Sequence, residues 1–216
     1  MKEFHLYLLN QSKPFWEKTV NHSFLETTAN GSISHKTFKI WIQQDYLFVE
    51  AAIPFMAVLL AKSSLDLRTN FIQIISGLDK ELELFRRNAD AAGISLNNIE
   101  SFPICHAYIQ FLMNTGYNKS FEEGFTVLYA AEKAYLDSWM YVKKNLKGKS
   151  PWQSFIDNWS SEGFQQYVDW LAKTLDNLVA EKHDRELAKL IDIFNITVRY
   201  EYLFWEMAAN KLSWPI

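Results

Sequence analysis

The sequence contains little glycine, proline or cysteine. Of its 216 residues, 7 are glycine and 5 are proline. An all-β sandwich or barrel needs a turn about every 8–12 residues, so this shortage favours a predominantly helical chain. The single cysteine, Cys105, excludes an internal disulfide framework and a zinc-thiolate cluster.

The sequence also lacks an excess of positive charge. It has 22 Lys and Arg against 25 Asp and Glu, a net charge of −3, so no nucleic-acid partner is expected. No run reaches about 18 consecutive apolar residues, and residues 1–5 do not resemble an apolar signal region. We therefore expect no membrane partner and a cytoplasmic location.

Aromatic residues, in contrast, are frequent, at 16% of the chain. They can fill a helical core or line a pocket for a flat ligand. Composition alone does not choose between these two uses.

Helix-end signals predict one all-α domain over residues 1–216, a compact bundle of about seven to nine helices. Ser34 is a predicted N-cap, and Ser120 with Glu123 forms a predicted capping box. Thr27–Gly31 is predicted as a loop, and Gly116 as the end of a helix.

Four acidic residues have mainly apolar neighbours on their own helix face. Residues three or four positions apart share a face, and by this criterion the four are Asp45, Glu50, Glu132 and Glu201. Because burying an unpaired carboxylate is costly, such a set predicts a polar site inside the bundle. The structural alternative is that each acid lies at a helix rim and pairs with a Tyr, Lys or Arg.

The sequence does not predict a metal site. Di-iron bundles use Glu-x-x-His motifs, and none occurs here. His106, inside a predicted helix, is of a kind that is more often a core or rim residue than a ligand. We expect no metal and no cofactor.

Several short motifs in this order resemble those of the TenA family. Gln44-Asp45-Tyr46, preceded by Phe38 and Trp41, resembles the family's Phe-x-x-Tyr/Trp-x-x-Gln-Asp segment. Residues 200–208 (Tyr-Glu-Tyr-Leu-Phe-Trp-Glu-Met-Ala) resemble its C-terminal Tyr-Glu-x-x-Phe-Trp-x-x-Ala signature. Ala107-Tyr108 and the segment from Trp159 to Phe164 also match. The resemblance implies a haem-oxygenase-like helical bundle, a metal-free hydrolase of thiamin salvage and a homo-oligomer, either a dimer or a tetramer.

The resemblance also implies roles for individual residues. Asp45 matches the aspartate that hydrogen-bonds the aminopyrimidine, and Glu201 matches the glutamate that handles protons on the ring or leaving group. The residues expected to line the pocket are Phe48, Tyr108, Tyr135 and Trp159, of which Phe48 and Trp159 stand where many members carry tyrosine.

The sequence departs from the family at the nucleophile. Ala131 occupies the position of the thiaminase II cysteine, and Glu132 follows it. This resembles the subgroup that lacks the cysteine and carries a glutamate, which has been linked to deamination or deformylation of aminomethyl-pyrimidine products. Cys105, three residues before Tyr108, is an alternative nucleophile, although a buried and inert cysteine is the commoner case.

We therefore expect hydrolysis of aminomethyl- or formylaminomethyl-pyrimidine to hydroxymethyl-pyrimidine. Asp45 would orient the small-molecule pyrimidine, while Glu201 protonates it and Glu132 activates water or attacks, unless the two glutamates exchange roles. A hydrogen bond from Tyr135 could hold one of them. The alternatives are thiaminase II activity on thiamin itself, a metal- or cofactor-dependent oxidase, and a non-catalytic pyrimidine binder on the same fold.

Overall fold

A computed structural model describes residues 3–216, which form α-helices and one 3-10 turn, without a strand. The predicted all-α class is confirmed. The helices are α1 (Phe4–Gln11), α2 (Lys13–Val20), α3 (Ser23–Asn30), α4 (His35–Lys62), α5 (Arg68–Ala91), α6 (Pro103–Asn118), α7 (Phe121–Asn145), α8 (Gln153–Trp159), α9 (Glu162–Leu178) and α10 (Asp184–Asn210). The 3-10 turn is Leu65–Leu67.

The chain divides into two compact units. The first unit consists of the residues up to Ile33 together with Phe125–Trp205, and the second of Ser34–Gly124 with Glu206–Ile216. A single domain over residues 1–216 stays a prediction.

Aromatic stacking and a partly buried hydrogen bond between a histidine and an aspartate hold the first unit together. Trp16 stacks on Phe194 with ring centroids 5.9 Å apart. Between α1 and α9, the Asp176 carboxylate lies 2.7 Å from Nδ1 of His5 and accepts from the His5 backbone N–H at 3.0 Å. These contacts join segments far apart in sequence, so the aromatic residues here build a core.

The second unit is organised around α4, which packs against α5 and α6. A Cβ atom at Gly124 would clash with the side chain of Leu59, and one at Gly116 would lie 2.9 Å from that of Phe55. The predicted helix end at Gly116 is wrong, because α6 continues to Asn118. Gly116 lets α6 approach α4 closely and does not end the helix.

The predicted caps are confirmed. The hydroxyl of Ser34 accepts from the backbone N–H of Thr37 at 3.0 Å. Ser120 and Glu123 accept reciprocally from each other's backbone N–H groups, at 3.2 and 3.0 Å.

The predicted loop over Thr27–Gly31 is mostly wrong, because α3 extends through Asn30. The hydroxyl of Thr28 donates to the Phe24 carbonyl within the helix at 2.7 Å, and Thr28 is buried. Packing thus outweighs the low helix propensity of threonine. Only Gly31, with a φ of 77°, ends the helix as expected of a C-terminal glycine.

Within residues 3–216, α4 alone is long and apolar enough to cross a membrane by length and composition. The buried core helix of a soluble protein passes the same test. The α4 helix packs against α5 and α6 and carries the buried Asp45 in its first half.

Candidate active site

The second unit contains a buried carboxylate beside two aromatic rings. Asp45 on α4 is fully shielded from solvent. Phe48, almost one turn further along the same face, lies 4.5 Å from the ring of Tyr108 on α6. The structure thus brings Phe48 and Tyr108 together and places Asp45 on the same stretch of helix.

Cys105 lies close to the carboxylate of Asp45, but its thiol is poorly reactive. It is fully buried, and its Sγ donates to the Gln44 carbonyl at 3.3 Å. Burial, with a smaller contribution from the charge of Asp45, raises the pKa of the thiol to about 12 despite an opposing hydrogen bond with Ser101. Since the thiolate is the nucleophilic form, Cys105 is a poor substitute for the absent active-site cysteine.

The first unit contains the second buried carboxylate, Glu201 on α10, which is 1% exposed. Trp205, one turn further along, lies 5.4 Å from Tyr135 on α7, which is itself 5.4 Å from Trp159. Trp139 closes this aromatic cluster by stacking on Trp159 at 5.2 Å. Tyr135 and Trp159, each of which is expected to line the pocket, are therefore in contact with each other.

Trp139 and Trp205 were not predicted as part of this cluster. Both lie four residues after a predicted site residue, Tyr135 and Glu201 respectively, and therefore on the same helix face. That spacing is the signal that could have identified them.

Glu132 differs from Asp45 and Glu201 because it is only partly buried. Its carboxylate accepts from the hydroxyl of Tyr167 on α9 at 3.3 Å. The sequence expectation was that Tyr135 would hold a glutamate, and Tyr167 was missed. A tyrosine 35 residues away gives no local signal for this pairing.

The fourth acid singled out from the sequence does not belong to a buried site. Glu50 is exposed although it lies on the same helix as Asp45, so its predicted burial is wrong. Apolar neighbours along one helix do not ensure that another helix covers that face.

No group of three or more His, Cys, Asp and Glu side chains among residues 3–216 is arranged to hold a metal ion. His106 is exposed, and its ring lies 6.3 Å from that of Trp214. It therefore lies at the surface of α6.

Comparison with solved structures first establishes the class of fold. A domain with a heme oxygenase-like fold from Shewanella denitrificans superposes with a TM-score of 0.77 at 10% identity, covering 95% of this chain and 92% of that one. The predicted haem-oxygenase-like fold is confirmed.

Residues 9–211 match the TENA/THI-4/PQQC family, and the chain belongs to it. A TenA homologue from Pyrococcus furiosus is 37% identical, with a TM-score of 0.93 over 95% of this chain and 99% of that one. The aminopyrimidine aminohydrolase of Halalkalibacterium halodurans is 28% identical over 98% of this chain and 97% of its own length. The TenA resemblance is confirmed, whereas membership of the glutamate-bearing subgroup stays a prediction.

Proposed function

We propose that this protein hydrolyses an aminomethyl- or formylaminomethyl-pyrimidine to the hydroxymethyl-pyrimidine used in thiamin salvage. The bond that breaks joins the methylene carbon to its amino or formylamino nitrogen. The observation that carries this proposal is the pair of fully buried carboxylates, Asp45 and Glu201, each on a helix face shared with aromatic rings. Carboxylates of this kind can accept hydrogen bonds from a nitrogen-rich heteroaromatic and exchange protons with it. The name of the Halalkalibacterium relative, similar to this chain along nearly its whole length, supports the same chemistry.

Asp45 is proposed to recognise the pyrimidine. Its carboxylate would accept a hydrogen bond from the exocyclic amine at the ring, while the rings of Phe48 and Tyr108, 4.5 Å apart, offer aromatic faces and edges to a flat ligand. Charge-assisted hydrogen bonds of this kind are about twice as strong as neutral ones. Asp45 therefore orients the substrate but does not take part in bond cleavage.

Glu201 and Glu132 are proposed to move the protons. The C–N bond at the methylene carbon breaks, and a C–O bond to the oxygen of water forms. One glutamate accepts a proton from that water, and the departing amine leaves as ammonia, or as formamide from the formyl derivative, after receiving a proton from the other. Glu201 is assigned the acid, because it matches the family's glutamate that handles protons on the ring or leaving group. The half-buried Glu132, held by Tyr167, suits the base.

Two features argue against thiamin as the substrate in the manner of thiaminase II. Ala131 has no thiol, and burial raises the pKa of the Cys105 thiol to about 12. The thiolate needed for that reaction is thus scarce at neutral pH.

Product analysis by mass spectrometry tests the proposal. The purified protein is incubated separately with thiamin, aminomethyl-pyrimidine and its N-formyl derivative. Formation of hydroxymethyl-pyrimidine from either pyrimidine, with thiamin intact, is the expected result. Cleavage of thiamin would contradict it, and binding without turnover would identify a pyrimidine-binding protein instead.

The homo-oligomer, either a dimer or a tetramer, and the cytoplasmic location belong to the same proposal and rest on the family resemblance. Light scattering coupled to size-exclusion chromatography measures the first. A mass near 25 kDa, that of one chain, would contradict it.

A further inference from the structure

Gln44 precedes Asp45 in the sequence, and the proposed reaction gives it no role. Its side chain is nonetheless 1% exposed, and a buried amide needs hydrogen-bond partners. Both partners lie in the segment that leads into α6. The amide nitrogen donates to the Glu100 carbonyl at 3.0 Å, and the amide oxygen accepts from the Phe102 N–H at 2.7 Å.

This two-point contact, which we call the Gln44 bridge, matches the geometry of an extended chain. The carbonyl of one residue and the N–H of the second residue after it point to the same side of such a chain, so one primary amide can bond both. Only one orientation of the amide satisfies them, because the carbonyl accepts and the N–H donates. A charged or apolar side chain of the same length could not make both bonds.

The bridge ties α4 to the first turn of α6. Phe102 is the N-cap residue of α6 and its side chain makes no capping hydrogen bond, so the bond from its N–H to Gln44 fixes where the helix begins. A third bond runs from Cys105 in that first turn back to the Gln44 carbonyl at 3.3 Å. Tyr108 follows Cys105 by three residues on the same helix face.

The bridged segment is also held from its other side. The indole N–H of Trp214 donates to the Ser101 carbonyl at 2.9 Å. Three consecutive residues, 100–102, are thus hydrogen-bonded on alternating sides, by Gln44 and by Trp214. The start of α6 has little freedom to shift along α4.

We propose that Gln44 is a positioning residue that sets the register of α6 on α4, and thereby the alignment of Tyr108 and Phe48 with Asp45. The bridge itself stands on its own hydrogen bonds, whereas its effect on substrate rests on the proposed function. Loss of the bridge should weaken pyrimidine binding and should also loosen the packing that covers Cys105.

The test compares Gln44→Met with Gln43→Met. Methionine nearly preserves the size of the side chain and removes both bonds of the bridge. Gln43 is a matched control, since it is the adjacent glutamine on α4 and its amide donates to a different loop carbonyl, that of Ser95, at 2.8 Å. Two quantities are measured in each protein: KM and kcat for the pyrimidine that the parent turns over, and the rate at which iodoacetamide alkylates Cys105.

Gln44→Met is expected to raise KM about tenfold, the factor that one net hydrogen bond represents, with kcat changed by less than about threefold. Alkylation of Cys105 should accelerate by about tenfold or more, since the thiol would be less shielded. Gln43→Met should change neither quantity. A loss of stability alone would not separate KM from kcat in this way.

An unchanged KM in Gln44→Met overturns the positioning role, even if alkylation accelerates, and an unchanged alkylation rate overturns the bridge as a restraint on α6. If the parent turns over no pyrimidine, the proposed function fails while alkylation still decides on the bridge. Should Gln44→Met not fold, Gln44→Asn replaces it, because it keeps the amide but is one methylene too short to reach both groups. The same outcomes then apply.

Discussion

Raising the pH should destabilise this protein in part through one thiol, that of Cys105. Burial raises its pKa from 9.0 to about 12 in the folded state. Because the folded pKa is the higher one, the neutral thiol favours folding. This contribution is fully present below pH 9 and is lost progressively as the pH rises towards 12.

The size of the effect follows from the two pKa values. At pH 10 most of the thiol is ionised in the unfolded chain and almost none in the folded chain, which costs on the order of 1 kcal/mol relative to pH 7. Replacing Cys105 by alanine removes this cost. Burial also raises the pKa of Tyr129, but that residue is present in both proteins and cancels in the comparison.

The assay is urea unfolding of the parent protein and of Cys105→Ala at pH 7 and at pH 10, with reductant present. The variant is less stable at pH 7 because it contains a cavity. The parent should lose on the order of 1 kcal/mol more than the variant between the two pH values. Equal losses in both proteins would refute the assignment of a neutral, buried thiol.

Three further substitutions test the packing and the caps. Gly124→Ala should destabilise by about 1–3 kcal/mol, because the new methyl group would clash with the buried Leu59 side chain; an unchanged urea midpoint would contradict this close approach. Gly77→Ala, in the interior of α5 with nothing within 4 Å, should instead stabilise by about 0.5–1 kcal/mol, and a loss of stability would show an unseen contact. Ser34→Ala should cost about 1 kcal/mol as its N-cap bond is lost, measured by thermal unfolding, where a change near zero would argue against the cap.

Local signals predicted the helix class and the caps correctly. The Ser120–Glu123 box and the Ser34 cap each depend on bonds within three residues, so the sequence contains everything needed to recognise them. Gly116 shows where such signals mislead. A glycine favours a helix end, but a Cβ atom at Gly116 would lie 2.9 Å from the side chain of Phe55 on α4, and α6 continues to Asn118.

The pattern of apolar residues on each helix face predicted part of the candidate site. Apolar neighbours at three and four residues identified Asp45 and Glu201, which are buried, and failed for Glu50, which is exposed. The criterion describes one helix surface and contains no information about which helix covers it.

Contacts between segments far apart in the sequence could not be predicted from local patterns. The bond from Tyr167 to Glu132 spans 35 residues, and the two bonds of Gln44 span 56 and 58. Each depends on how helices pack, because neither partner has a local pattern that marks it. The residues that position the site were therefore missed more often than those proposed to perform the chemistry.

The most direct test of the hydrolytic function follows the oxygen atom. The protein is incubated with aminomethyl-pyrimidine or its N-formyl derivative in heavy-oxygen water, and the pyrimidine alcohol is analysed by mass spectrometry. We predict a labelled alcohol from the parent protein and from Glu50→Gln, with the rate lowered by about a hundredfold or more in Glu201→Gln through loss of the acid-base group. An alcohol without label, no alcohol from either compound, or a Glu201→Gln variant as active as Glu50→Gln would contradict the proposed function.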